Sequence, residues 1–191
     1  HPATVPSTHG RYRSGMRIAR SLALGATAVG LVGAAVLVKT VRDVQGSAAG
    51  DVDSFLALPE DERTSRPVVA VLGASIVRGR ASVDFVRMLR RQHLDLAFVN
   101  GGVNGRVAWE MLQDLPRVLA CDPAYAIILV GTNDVQATLS EQAREMTRRS
   151  KGLPQDPSPA WFGECLGQAV EALRDAGTQV AVCSLPPLGQ D

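Results

Sequence analysis

Ser75 is the first residue of this chain whose setting points to chemistry. It stands two positions after Gly73, which closes an apolar run, residues 68–72, opened by Pro67. A short β-branched run bounded in this way fits a strand covered on both faces better than a helix. Ligands bind at the carboxyl ends of such strands, and Gly73 permits the sharp turn that would present a hydroxyl there. Taken alone, the serine reads equally well as part of an ordinary turn. Two later apolar runs break the tie, because each also ends in glycines and polar groups: residues 96–100 before Gly101-Gly102-Val103-Asn104-Gly105, and residues 125–130 before Gly131-Thr132-Asn133-Asp134. A serine nucleophile needs a base for its proton and donors aimed where negative charge develops on the attacked carbonyl oxygen. The backbone N–H groups of Ser75 and Gly105, each expected near a helix N-terminus, and the side-chain amide of Asn133 supply a three-point oxyanion hole.

These groups must be positioned by the elements between them. Ser82 is a fair helix N-cap with Asp84 in the first turn, and Val83, Val86 and Leu89 repeat at helical spacing as far as Gln92. A strand over residues 96–100 follows, then a helix from Val107 to about Leu115 that Pro116 stops. After the strand over 125–130, Ser140 caps a charged helix through Arg149, and residues 151–160 form a loop. An amphipathic helix over 161–176, with Gly177 as its C-cap, leads to a last strand over 180–185 and the pair Pro186-Pro187. Strand and helix alternate with short connections, so a parallel sheet with helices on both faces is the economical architecture. The three polar loops then share one edge.

The chain has 191 residues, 46% of them hydrophobic and only 4% aromatic, which suits one aliphatic α/β domain with an appendage. A formal net charge of +1 argues against a nucleic-acid-binding surface. Cys121, Cys165 and Cys183 have neither an even count nor metal-ligand spacing, so they read as buried free thiols, with no disulfide framework and no metal site.

The charge is unevenly spread: Arg11, Arg13, Arg17 and Arg20 all precede the first acidic residue, Asp43. Residues 21–38 carry no charge between Arg20 and Lys39, and as a helix they span about 27 Å. The sequence therefore predicts a basic N-terminus (1–20), a transmembrane signal anchor (21–39), a surface linker (40–66) with one helical turn around 52–58, and a globular domain (67–191). The basic flank places that domain on the outer side of the membrane. A cleaved signal peptide, leaving the domain secreted, is the alternative.

Three blocks together resemble the SGNH, or GDSL-type, hydrolase family: Gly73-Ala74-Ser75 its first, Asn100 to Gly105 its second, and Gly131-Thr132-Asn133-Asp134 its third. Residues 180–189 are similar to the family strand that precedes its final segment. The resemblance implies an α/β fold, three-layer α/β/α with a parallel, flavodoxin-like sheet, here preceded by a transmembrane helix. It implies ester hydrolysis without a cofactor, with Ser75 as nucleophile and oxyanion donor and Gly105 and Asn133 completing the hole. The substrate would be a small-molecule, lipid or glycan ester. Ala74 stands where the family usually has aspartate, which touches turn hydrogen bonding more than chemistry.

The family's last block, Asp-x-x-His, is not found in these 191 residues. His1 and His9 lie before the apolar segment, and His93 precedes its strand, on the order of 15 Å from Ser75 at about 3.3 Å per residue. The sequence therefore reads as a copy truncated before that block. A membrane-tethered binding module without catalysis is the second reading. A nucleotide-binding domain is the third and weakest, since Gly73 to Gly79 has neither a Gly-x-Gly-x-x-Gly pattern nor a Lys-Ser/Thr ending.

Overall fold

The apolar run after Pro67 forms β1 (Val68–Gly73), buried along its whole length, in a computed structural model that describes residues 50–79 and 83–185. All of these belong to one compact unit, Ser47–Asp191. A strand buried on both faces has no polar side to show, which is why β1 reads as a continuous apolar run. It pairs in parallel with β2 (Ala97–Gly102) on one side and β3 (Pro123–Leu129) on the other. β3 in turn pairs with β4 (Gln179–Val182), also in parallel, giving the order β2-β1-β3-β4. That is the flavodoxin-like order.

Helices cover both faces. On one face, Val77 of α3 (Ser75–Arg78) and Val86 of α4 (Phe85–Gln92) meet Val69, Val71 and Phe98. On the other, Met111, Leu115 and Val118 of α5 (Ala108–Leu119) and Ala169 and Leu173 of α8 (Pro159–Asp175) pack on Ala70, Leu72, Val99 and Ile128. The rings of Trp109 and Trp161, 6.4 Å apart, join these two helices at their starts. The remaining helices are α1 (Val52–Leu56), α2 (Glu60–Thr64), α6 (Thr132–Thr138) and α7 (Glu141–Lys151).

Several expectations need correction. Pro116 does not stop its helix; α5 runs three residues beyond it to Leu119. An internal proline costs about 3 kcal/mol or more. Carrying the apolar stripe on past Pro116 buries Val118, worth about 1.5–3 kcal/mol, which offsets much of that cost. Asp84, expected inside the first turn of α4, is its N-cap and accepts from Arg87 N–H at 2.9 Å. Gly177 lies one place beyond the C-cap Ala176, with φ 85°.

The segment read as a surface linker also folds in part. Val52 and Phe55 of α1 are buried in the main core, and the acidic stretch after Pro59 forms α2. The Gly50 carbonyl accepts from Asn100 N–H at 2.9 Å and from Arg90 Nη2 at 2.7 Å. Arg90 Nε also donates to the Phe98 carbonyl, so its guanidinium seals the outer edge of β2.

The anchor expected over residues 21–39 lies outside the described residues, as do residues 1–20 and the Pro186-Pro187 pair. Among the described residues, no helix is long and apolar enough to cross a membrane.

The cysteines divide unexpectedly. Cys121 and Cys165 are buried, but Cys183 is exposed because it follows the outermost strand, β4. Desolvation pushes the Cys121 thiol up to about 11 against the pull of the Arg63 and Arg117 guanidinium groups, and burial also raises Cys165. Since the thiolate is the reactive form, a thiol reagent at neutral pH is expected to modify Cys183 in the native protein and the other two only on unfolding. Peptide mapping after a short reaction checks this, and equal labelling at all three sites would contradict it.

Candidate functional site

Gly73, the last residue of β1, is in register with Gly102 of β2 and Leu129 of β3, so three neighbouring strands end at one level. The loops carrying Ser75, Gly105 and Asn133 therefore leave the sheet side by side. A Cβ at Gly73 would lie 2.2 Å from the Leu129 carbonyl oxygen and 2.5 Å from Val77 Cγ2, which only glycine avoids. Ser75, half-buried, is the first residue of α3. This helix is a single turn, closed by the bond from Gly79 N–H to the Ser75 carbonyl at 3.1 Å. It is too short to supply the macrodipole of a full helix.

The loop after β2 is laced to that turn. Asn100, 2% exposed, donates from Nδ2 to the Val77 carbonyl at 3.0 Å and accepts from Gly102 N–H at 2.9 Å. Val103 N–H donates to the Gly73 carbonyl at 3.1 Å. Gly105 follows with φ 69°, a left-handed conformation that favours glycine. Arg106 then closes the turn by donating its N–H to the Val103 carbonyl at 3.2 Å.

Asn133 reaches the same loop from the other side. Its Nδ2 donates to the Arg106 carbonyl at 2.9 Å, which sets its amide against the peptide that joins Arg106 to Val107, one residue past Gly105. The amide carries two N–H groups, so one remains beyond that bond. Gly131, with φ 128°, starts the turn that delivers it; a Cβ there would press on the Phe162 ring at 3.0 Å and on Leu185 at 2.9 Å. A hydroxyl, a backbone N–H and a side-chain amide on three adjacent strand ends are groups that acyl transfer uses together with a base.

Around them lies a set of charges that sequence reasoning did not single out. Asp134 accepts from Ala108 N–H at 3.0 and 3.2 Å, and Glu110 accepts from Val107 N–H at 3.0 Å. The first N–H groups of α5 are thus satisfied by two carboxylates. Lys151, the last residue of α7, donates to Glu110 at 2.8 Å, and its Nζ lies 3.8 Å from where a Cβ on Gly105 would be. Glu110 was within reach of sequence reasoning, standing three places after the N-cap Val107 as capping acids do. Asp134 was not, because its partner is 26 residues away.

His93, the one histidine among the described residues, is the C-cap of α4 and meets the ring of Phe98 at the opposite end of the sheet, as expected. Among the described residues, no cluster of His, Cys, Asp and Glu could hold a metal ion. A cavity of about 550 Å³ along the outer edge of β2, lined by Phe55, Arg66, Arg90 and Phe98 among others, shares no residue with the three strand-end loops.

Desolvation holds the Asp134 carboxyl above its usual range, helped by the nearby Glu110 charge and opposed by the Ala108 N–H and the Lys151 ammonium. Its stabilising share is therefore full below the ordinary Asp value of about 3.9 and is lost as pH rises through the higher folded-state value. Asp134→Asn keeps an oxygen to accept from Ala108 and removes that titration. The variant is expected to flatten the decline of the urea midpoint with pH above about pH 4. A decline as steep as in the unmodified protein would refute the assignment.

A model of the GDSL-like lipase/acylhydrolase family matches residues 71–191, well over half of the chain. No curated protein matches it. Among solved structures, it is similar to the acetyl xylan esterase AlAXEase, with 16% identity and a TM-score of 0.47 over 61% of this chain and 57% of that one. AlinE4, an esterase of the SGNH-hydrolase family, gives 23% identity and a TM-score of 0.46 over 64% and 61% of the two chains. A GDSL-like lipase from Bacteroides thetaiotaomicron gives 17% and 0.46 over 68% and 54%. The chain thus spans less than two thirds of the length of each of these three. On the extent of the family match, the chain belongs to the GDSL-like lipase/acylhydrolase family.

Proposed function

We propose that this chain carries the nucleophile and oxyanion hole of a serine ester hydrolase. Ser75 Oγ attacks the carbonyl carbon of a carboxylic ester, and the carbonyl oxygen becomes an oxyanion held by the N–H groups of Ser75 and Gly105 and by Asn133 Nδ2. Collapse of that intermediate breaks the ester bond, releases the alcohol and leaves an acyl-Ser75 that water hydrolyses. The Ser75 proton passes to a general base and then to the leaving alcohol. The observation that carries the reading is the 2.9 Å bond from Asn133 to the Arg106 carbonyl, which joins the turn after β3 to the loop after β2. The substrate class is a small-molecule, lipid or glycan ester.

Labelling of the intact protein by a fluorophosphonate, alongside hydrolysis of an activated acetyl ester, tests it. Ser75→Ala is expected to abolish both. Asn133→Ala is expected to lower kcat by about 10²–10³, the effect of losing one oxyanion donor, or about 2.7–4 kcal/mol. Labelling that persisted in Ser75→Ala would sink the reading.

We also propose that residues 21–39 anchor the protein in a membrane with the hydrolase domain on its outer side. The support is the uncharged stretch 21–38 between Arg20 and Lys39, behind four arginines. The intact protein is expected to resist alkaline extraction of membranes. Its release into the soluble fraction without shortening would overturn the anchor.

A further inference from the structure

Arg106 is 7% exposed, and a buried guanidinium calls for an explanation beyond stability, since apolar side chains of similar size often serve stability as well or better. Its partners lie on both sides of the turn that presents Gly105. Nη1 donates to the Gly101 carbonyl at 3.0 Å, at the start of that turn. Nη2 donates to Asp114 at 2.7 Å, two helical turns into α5. Asp114 is itself held by Arg117 at 2.9 Å, and Arg117 pairs with Asp53 of α1. The Arg106 main chain completes the set: its N–H closes the turn on Val103 at 3.2 Å, and its carbonyl receives the Asn133 amide at 2.9 Å. One residue therefore ties the Gly101 end of the loop to α5 and fixes the peptide against which Asn133 is oriented.

We infer that Arg106 is a positioning residue for the reaction proposed above, holding the Gly105 N–H and the Asn133 amide in one shared geometry through its guanidinium bridge between Gly101 and Asp114. The inference rests on that reading of Ser75, Gly105 and Asn133. Substitution leaves the Arg106 carbonyl in place but frees the loop that aims it. Two oxyanion donors then lose alignment together, while contacts to the rest of a substrate are untouched. The signature is a loss in kcat without a change in KM, and a loss that overlaps with that of removing Asn133.

The test is a double-mutant cycle on the intact protein with Arg106→Met, Asn133→Ala and the double variant. It is read as kcat and KM on an activated acetyl ester and as the rate of fluorophosphonate capture by Ser75, which does not depend on deacylation. Arg106→Met is expected to lower kcat and capture by about 10- to 100-fold, the scale of a small misplacement of reacting groups. KM should be unchanged. Arg106→Lys, which keeps the charge and one donor, should fall between the two. The double variant is expected to lose less than the product of the two single losses, by more than the factor of about two that separates additive from coupled sites, the remainder being the Gly105 share.

Multiplied losses in the double variant would overturn the inference, as would a rise in KM alone or a loss that merely tracks the folded fraction by near-ultraviolet circular dichroism. If Arg106→Met fails to fold, the same cycle with Arg106→Lys decides. The two readings fail separately. Activity and labelling that survive Ser75→Ala remove the serine mechanism, whereas loss in Ser75→Ala with multiplied losses at 106 and 133 removes only the role of Arg106.

Discussion

β1 ends in a residue that can have no side chain. Gly73 sits between Gly102 and Leu129, and any Cβ there would overlap the Leu129 carbonyl and Val77. This close approach lets three parallel strands stop at one level, so that their outgoing loops begin within hydrogen-bonding reach of one another. The bond from Val103 N–H to the Gly73 carbonyl depends on it directly. Gly102 repeats the constraint one strand over, where a Cβ would fall 2.3 Å from the backbone nitrogen of Arg78. The edge is therefore set by backbone against backbone, which moves less than side-chain packing does. A site that must hold donors to about 0.5 Å benefits from such a base.

On that base the loops are joined by polar groups whose burial has to be offset. Asn100 illustrates the rule: its amide satisfies a carbonyl of α3 and an N–H of its own strand, so little desolvation is left uncompensated. Asp134 is less favourably placed, since burial and a neighbouring carboxylate both work against its charge, yet it caps the start of α5 and so ties α6 to the helix that follows Gly105. Holding a charge at such a point costs stability and fixes geometry. Functional edges commonly accept that exchange.

What the sequence revealed, and what it hid, follows from the range of each interaction. Ser75, Gly105 and Asn133 could be read because each follows its own apolar strand by a few residues, so local pattern alone put them on one edge. The helix expected to start near Ser75 is there but only one turn long, and the α6 helix over Thr132–Thr138 and the extension of β2 to Gly102 were missed because each depends on a neighbouring strand or loop. Arg106 gave no local sign of its role: its partners lie at Gly101, Asp114 and, through its carbonyl, Asn133. The turn around 52–58 is found as α1, but its burial escaped notice for a related reason. Only Val52 and Phe55 of its five residues are buried, too few to set up a helical period, and their burial depends on a sheet edge formed later in the chain. Cys183 shows the opposite error, in which an apolar run suggested burial but the strand lies at the edge of the sheet.

The order β2-β1-β3-β4 separates two tasks that a serine hydrolase must perform. Ser75, Gly105 and Asn133 all leave from the three strands centred on β1, and none of the bonds that hold their loops comes from β4. On the reading proposed for them, these groups are therefore arranged without a contribution from β4. Their contribution is distinct in kind as well as in place, because in serine proteases an oxyanion hole and substrate binding retain about 10³–10⁴-fold catalysis when a member of the triad is removed. For this chain the consequence is structural. On the proposed reading, the pairing of Gly73 with its neighbours and the anchoring of Arg106 preorganise the groups around Ser75 before a proton is transferred.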